Sequence, residues 1–171
     1  MFENKLKKIK LLLLDVDGVL TDGSIIYNDS GEEIKVFNVK DGLGIRLLIE
    51  AGIKVCIITG RKSDALKHRC KNLGIDHIFQ GVRDKGSLLD LIFKQTGSTP
   101  DETAFIGDDL LDLSIMNLVG TPIAVSDAHD SVIKKASIVT TAKGGKGAVR
   151  EISEAILRAK GLWEKILKRY S

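Results

Sequence analysis

Two aspartates stand one residue apart in IKLLLLDVDGVLTDG, residues 9 to 23, directly behind an unbroken apolar run. On an extended chain the side chains of Asp15 and Asp17 start on the same side, so two negative charges crowd a place where an apolar core would carry none. A second acidic cluster, Asp108, Asp109 and Asp112 in FIGDDLLDL, follows another apolar run about ninety residues later. One Asp at a strand end often only punctuates a loop, and Asp in the first turn of a helix is favoured by the helix dipole. Neither explanation covers both clusters. Ligands bind at the carboxyl ends of strands in open parallel sheets, where converging carboxylates are destabilising, or take up protons, unless a cation neutralises them. Every candidate ligand is an oxygen, with no histidine or cysteine beside it, which favours Mg²⁺ over zinc or copper.

Two further strand ends carry groups of the opposite kind. CIITGRKS brings Thr59, Gly60 and Arg61 to the start of a helix, whose free N–H groups suit phosphate oxygens. Lys85, in GVRDKGS, follows the run HIFQG. Alone, the first is a common loop and the second a solvated lysine. As a set, a carboxylate nucleophile, a hydroxyl, a cation and a metal cage suit phosphoryl transfer, where positioning and charge neutralisation supply most of the catalysis.

Positioning these groups requires strands that end side by side. Apolar runs IKLLLLDV, IKVCIITG, HIFQGV, TAFIGDD, TPIAVS and ASIVTT alternate with helical patterns near 43–51, 62–73, 84–96, 110–118, 128–135 and 146–159. Gly52, Gly74 and Gly97 follow three of the helices as stop signals. Such alternation predicts an α/β fold, a doubly wound, Rossmann-like parallel sheet with helices on both faces, as a single domain over 1–171. One segment departs from the pattern: GSIIYNDSGEEIKVFNV reads as a projecting β-hairpin flap, about 23–39, turning at NDSG and apolar on both faces. It is too short to be a second domain or a cap.

Composition narrows the classes. A chain of 171 residues with 43% hydrophobic and 29% charged residues reads as one globular domain with a real core. No segment is long and apolar enough for a membrane span, and MFENKLKKIK lacks the features of a signal peptide, so the expected compartment is the cytoplasm. Cys56 and Cys70 are expected as reduced packing residues rather than a disulfide or zinc site. The net charge of +3 lies largely in AILRAKGLWEKILKRYS, which reads as the solvated face of a terminal helix whose core stripe is Leu162, Ile166 and Tyr170. No nucleic-acid or membrane partner is expected.

In order and spacing, DVDGVLTDG, ITGR, DK and GDDLLD resemble the four motifs of the haloacid dehalogenase superfamily of aspartyl-phosphate-forming phosphatases. FNVKDGLGIRLL, LGIDHIFQGVRDK and GGKGAVREI further resemble its capless branch that acts on 3-deoxy-D-manno-octulosonate 8-phosphate, over nearly the whole chain. The resemblance implies Asp15 as the nucleophile and Asp17 as the acid that protonates the leaving alkoxide and then takes a proton from water. It implies Mg²⁺ held by Asp15, Asp108 and the backbone carbonyl of Asp17, with Asp109 and Asp112 bracing the metal's waters and the loop. Thr59 and Lys85 would bind the transferring phosphoryl oxygens.

For the substrate, Arg61 offers a fork suited to the carboxylate of a sugar acid. Lys40, Asp41, Gly42 and Gly60 match blocks near the substrate or a neighbouring subunit, as do Lys146 and Arg150 in the glycine-rich 144–150 segment. Read by itself, GGKG is either a weak phosphate-loop mimic or a flexible turn. The resemblance also implies a homotetramer in which the hairpins assemble and neighbouring subunits complete each active site, in a pathway of lipopolysaccharide sugar synthesis. Two rivals remain at this stage: a phosphatase of 9-phosphorylated nonulosonic (sialic-type) acids, and a phospho-accepting receiver-like signalling module. The second is disfavoured because Asp17 stands beside the acceptor, which speeds dephosphorylation.

Overall fold

The computed structural model describes residues 2–170. In chain order the elements are α1 (Phe2–Lys8), β1 (Leu11–Leu14), β2 (Ile26–Tyr27), β3 (Glu33–Ile34), α2 (Val39–Glu50), β4 (Lys54–Thr59), α3 (Asp64–Leu73), β5 (His77–Gln80) and α4 (Leu89–Thr96). They continue with β6 (Thr103–Gly107), α5 (Leu113–Met116), β7 (Thr121–Ala124), α6 (Asp130–Lys135), β8 (Ile138–Val139), α7 (Ala148–Ala159) and α8 (Trp163–Leu167). Six strands form one parallel sheet in the order β5-β4-β1-β6-β7-β8, the doubly wound, Rossmann-like arrangement expected from the alternation.

The unbroken leucine run is explained by its place. β1 lies at the centre of the sheet, covered on both faces, and all four of its residues are buried. Leu14 pairs with Ile57 of β4 on one side and Ile106 of β6 on the other. The chain winds outward from β1 in both directions, so the loops after β1, β4 and β6 open into one crevice at the carboxyl edge of the sheet. The first and second acidic clusters leave adjacent strands there despite their separation in sequence.

Four features differ from expectation. A short helix, α1, precedes the first strand. The terminal helix breaks at Gly161, whose φ of +70° ends α7 and allows α8 to fold back. Ile166 is buried, but Tyr170 is exposed and takes no part in a core stripe. Trp163 fills the turn instead, with the guanidinium of Arg158 4.7 Å from its ring and that of Arg150 at 5.7 Å. The hairpin is confined to two residue pairs, Ile26 with Ile34 and Tyr27 with Glu33. Its faces are unequal: Ile34 and Val36 point outward and are exposed, while Glu33 and Lys35 turn inward. The expectation of two apolar faces therefore fails, because the second strand alternates charged-in and apolar-out.

In the KDG block, matched to blocks near the substrate or a neighbouring subunit, Asp41 and Gly42 are engaged in packing within the chain. Asn38 caps α2, accepting from the amides of Lys40 and Asp41. Asp41 is buried and reaches across to α7, accepting from Arg150 N at 2.8 Å and Gly147 N at 3.3 Å. It caps a neighbouring helix from the side, and burial pushes its carboxyl above the ordinary value despite those amides. Gly42 leaves room for Arg69: a Cβ there would lie 2.1 Å from Nη2. Lys40 is exposed on the first turn of α2. Asp41→Ala should lower stability by about 1–3 kcal/mol by stranding buried helix-terminal amides. Thermal denaturation checks this; an unchanged midpoint would show that α7 does not depend on that cap.

Candidate active site

Asp15 and Asp17 follow β1 in a tight turn rather than extending the strand. Asp15 Oδ1 accepts from the amide of Val16 at 2.7 Å, which aims the other oxygen, Oδ2, at Lys85 Nζ, 2.6 Å away. Lys85 enters from the segment after β5, with its side chain only 3% exposed. The same ammonium meets Asp112 Oδ1 at 2.6 Å. Asp112 is fully buried, and its Oδ2 accepts from the amides of Asp108 at 2.8 Å and Asp109 at 3.3 Å. Asp112 therefore braces both the lysine and the second acidic loop. Asp109 caps the turn that follows, accepting from Leu110 N at 2.7 Å.

Asp108 is the member without a protein partner. Its Oδ1 is buried and makes no hydrogen bond, and one carboxylate oxygen each of Asp108, Asp15 and Asp112 lie within 4.8 Å of one another. Burial, then the charges of Asp15 and Asp112, push the Asp108 carboxyl up to about 8. Burial and Asp112 push Asp15 up to about 6 against the pull of Lys85. For Lys85, burial acts against the ammonium, but Asp15 and Asp112 outweigh it and raise its pKa. Both oxygens of Asp112 are engaged by the lysine and the amides, and those of Asp15 by Lys85 and Val16 N, so Asp108 holds the unpartnered oxygen of this cluster. An orphaned, buried carboxylate oxygen beside a second carboxylate fits a hard divalent cation. Gly18 makes the approach feasible: with φ of +84° it passes so close that a Cβ would lie 2.0 Å from Asp108 Oδ2.

Thr59 ends β4, buried, and its Oγ1 accepts from Arg61 N at 3.3 Å. Asp15, Asp17, Thr59, Gly60, Arg61, Lys85, Asp108, Asp109 and Asp112 all line one open pocket, together with Gly18, Gly23 and Leu111. Lys40, Asp41 and Gly42 do not line it.

The flap adds groups that sequence reasoning missed. Lys35 is bonded to Asp17 Oδ1 and stands 2.8 Å from Glu33 Oε1. Arg61 Nη2 is 3.3 Å from the same Glu33 oxygen and donates to the Tyr27 hydroxyl at 3.5 Å, while its Nε lies 3.8 Å from Asp17 Oδ2. Hydrogen bonding to Lys35 is the main cause that holds the Glu33 carboxyl below its usual range. The available signal was alternation in GEEIKVF, where two charges share the face opposite Ile34 and Val36.

The glycine-rich segment stands behind this machinery as a buttress. Gly145 N donates to Val19 O at 2.8 Å, Asn38 Nδ2 donates to Gly145 O at 3.2 Å, and Lys146 pairs with Asp22 at 3.2 Å. A Cβ on Gly144 would fall 1.7 Å from Gly18 O. The segment thus clamps both roots of the flap to the turn that carries Asp17.

The parallel sheet, with the motif residues gathered at its carboxyl edge, defines a haloacid dehalogenase-like hydrolase, and the family model of that description matches residues 77–152. The chain belongs to the family of 3-deoxy-D-manno-octulosonate 8-phosphate phosphatases. It is 46% identical over 157 residues to that phosphatase of Escherichia coli, covering 92% of this chain and 84% of the relative. The crystal structure of the Yersinia pestis phosphatase superposes with a TM-score of 0.93 at 46% identity, covering 95% of this chain and 88% of the other. The Moraxella catarrhalis phosphatase, solved with magnesium, phosphate and the octulosonate, gives a TM-score of 0.96 at 43% identity, covering 99% and 97%. A cobalt-bound form from Haemophilus influenzae gives 0.90 at 45% identity, with 93% of both chains covered.

The raised carboxyls set a pH dependence. When the folded pKa lies above the unfolded one, the folded chain retains protons that the unfolded chain has released, and stability falls as pH rises. For Asp15 and Asp108 that window runs from the ordinary value of 3.8 up through about 6 and about 8. Metal-free protein should therefore lose thermal stability as pH climbs through this window, and Mg²⁺ should restore most at the alkaline end. Calorimetry in chelator and in Mg²⁺ checks it; an equal Mg²⁺ effect at both ends would contradict the assignment.

Proposed function

We propose that this protein is a Mg²⁺-dependent phosphomonoesterase that hydrolyses 3-deoxy-D-manno-octulosonate 8-phosphate to the free sugar acid and phosphate through a phosphoaspartate. One observation carries this reading beyond family membership: Asp15 Oδ2 is held by Lys85 at 2.6 Å, clustered with Asp108, which has an unpartnered buried oxygen, in the pocket that Asp17 also lines. Asp15, Asp108 and the Asp17 carbonyl would hold Mg²⁺, which when bound supplies neutralising positive charge for the phosphate.

The chain's own groups do the rest. Lys85 and Thr59 hold the phosphoryl oxygens. Asp15 attacks phosphorus in line; a bond from its carboxylate oxygen to phosphorus forms as the bond to the sugar oxygen breaks. Protonated Asp17 gives its proton to the departing alkoxide, which leaves as the alcohol. Water then attacks the phosphoaspartate, Asp17 takes the proton of that water, and the bond between Asp15 and phosphorus breaks to release phosphate. Arg61, with its side chain 40% exposed at the mouth, is the proposed reader of the sugar acid's carboxylate. Asp15→Asn should abolish turnover, and chelation should silence the wild type. Phosphate release from the sugar acid phosphate measures both, and persistence of wild-type rates in either case would overturn the mechanism.

The working form is proposed to be a homotetramer in the cytoplasm, its small-molecule pocket closed by neighbouring subunits. Support comes from the flap, where Ile25, Ile26, Tyr27, Ile34, Val36 and Val39 are all exposed, more apolar surface than a two-stranded ribbon normally leaves in water. Buried free thiols at Cys56 and Cys70 fit a reducing compartment. No helix among the described residues is long and apolar enough to cross a membrane. Ile26→Asp or Val36→Asp should give smaller species in light scattering, with weakened turnover of the sugar acid phosphate. A monomeric, fully active wild type at micromolar concentration would exclude the assembly.

A further inference from the structure

Two ammonium groups each bond a different one of the paired aspartates that line the pocket. Lys85, carried by the framework after β5, holds Asp15. Lys35, carried by the flap, holds Asp17. The Lys35 side chain is only 2% exposed, although the residues on either side of it, Ile34 and Val36, face outward. An ammonium so buried persists only where anions surround it, and Lys35 has two, Asp17 and Glu33. Glu33 in turn holds Arg61, whose Nε faces the second Asp17 oxygen. The four charges, two negative and two positive, balance among themselves, so this corner needs no bound anion to be neutral.

We propose that Lys35 is the positioning residue for Asp17: by bonding Oδ1 it fixes the carboxyl plane and presents Oδ2 to the oxygen that leaves phosphorus. This rests on the acid–base role proposed for Asp17 and adds to it. The nucleophile is oriented by the rigid sheet, and the proton carrier by the flap, so only a seated flap sets up proton transfer. The alternation of β3 joins two tasks on adjacent residues. Ile34 and Val36 face the proposed neighbours, while Lys35 faces Asp17.

The alternative use of Lys35, as a direct reader of the substrate carboxylate, is disfavoured because its side chain is 2% exposed, whereas that of Arg61 at the mouth is 40% exposed. The two roles separate on aryl phosphates, which carry no carboxylate. General acid assistance matters for a basic leaving group and hardly at all for 2,4-dinitrophenolate. Lys35→Met should therefore lose about tenfold or more in kcat/KM on phenyl phosphate, an intermediate amount on 4-nitrophenyl phosphate, and less than about threefold on 2,4-dinitrophenyl phosphate. Lys35→Arg, which keeps the charge, should recover most of the loss on phenyl phosphate.

A loss of equal size across the series would show that Lys35 only holds the flap together. A loss confined to the sugar acid phosphate, with the aryl series untouched, would make it a carboxylate reader. Either result overturns the inference, as does a variant equal to wild type on every substrate. Wild-type hydrolysis of 2,4-dinitrophenyl phosphate in Mg²⁺ tests the phosphatase reading separately; its absence would defeat that reading itself, before any variant is made.

Discussion

Lys85 is the constraint on which the site depends. Its ammonium sits between Asp15 and Asp112, 2.6 Å from each, in surroundings that leave its side chain 3% exposed. A charge in that position is tolerable only with both partners, and the carboxylates could not approach each other without it. Asp112 uses its other oxygen to hold the amides of Asp108 and Asp109, so the lysine indirectly fixes the second acidic loop as well. The sheet makes this triad possible. Neighbouring parallel strands β1, β4 and β6 all point their carboxyl ends at one crevice, and their interiors are apolar enough to let every charge be displaced to the ends.

The pocket has two electrostatic halves. Around Asp15, three clustered carboxylates face one ammonium, and the imbalance appears as carboxyls pushed up to about 6 and about 8. That half fits a cation. Around Asp17, the charges of Asp17, Glu33, Lys35 and Arg61 balance. That half needs orientation rather than neutralisation. The division matches the proposed chemistry, in which the nucleophile must stay ionised beside a phosphate dianion while its neighbour must gain and lose a proton.

How far the sequence disclosed this depended on whether a signal was local. Six strands, their parallel arrangement and the four strand-end motifs are written in runs of a few residues, and all lie where the alternation placed them. The Asp and Lys groups could be assigned to one crevice because strand ends in such a sheet converge. Lys35 and Glu33 were hidden because their roles follow from how the flap folds back, a tertiary fact that leaves ordinary surface-like charges in the sequence. Asp41 shows the converse case. It lies in a block similar to the family's, yet it caps α7 from α2, and similarity marks a position without saying whether it serves packing or chemistry. The break at Gly161 was missed because the amphipathic spacing of Leu162 and Ile166 continues across it.

With no cap domain among the described residues, the fold still has to shield its open pocket and bring an acid to the leaving group. In this fold both tasks converge on a hairpin that is paired through only two residue positions and is therefore weak by itself. Its roots are made firm by the 144–147 segment, where Gly144 packs against Gly18 without room for a Cβ and Gly145 bridges Val19 to Asn38. Its tip is exposed: the apolar residues of β2 and β3 are not covered by any of the described residues. If neighbouring subunits supply that cover, as proposed, assembly stabilises the same strand that delivers Lys35 to Asp17. Burial of Ile34 and Val36 would then favour the seated flap, and proton transfer would depend on contacts outside the chain that carries the nucleophile. An isolated subunit would keep the Lys85 triad, which belongs to the sheet, while its hold on Asp17 weakened.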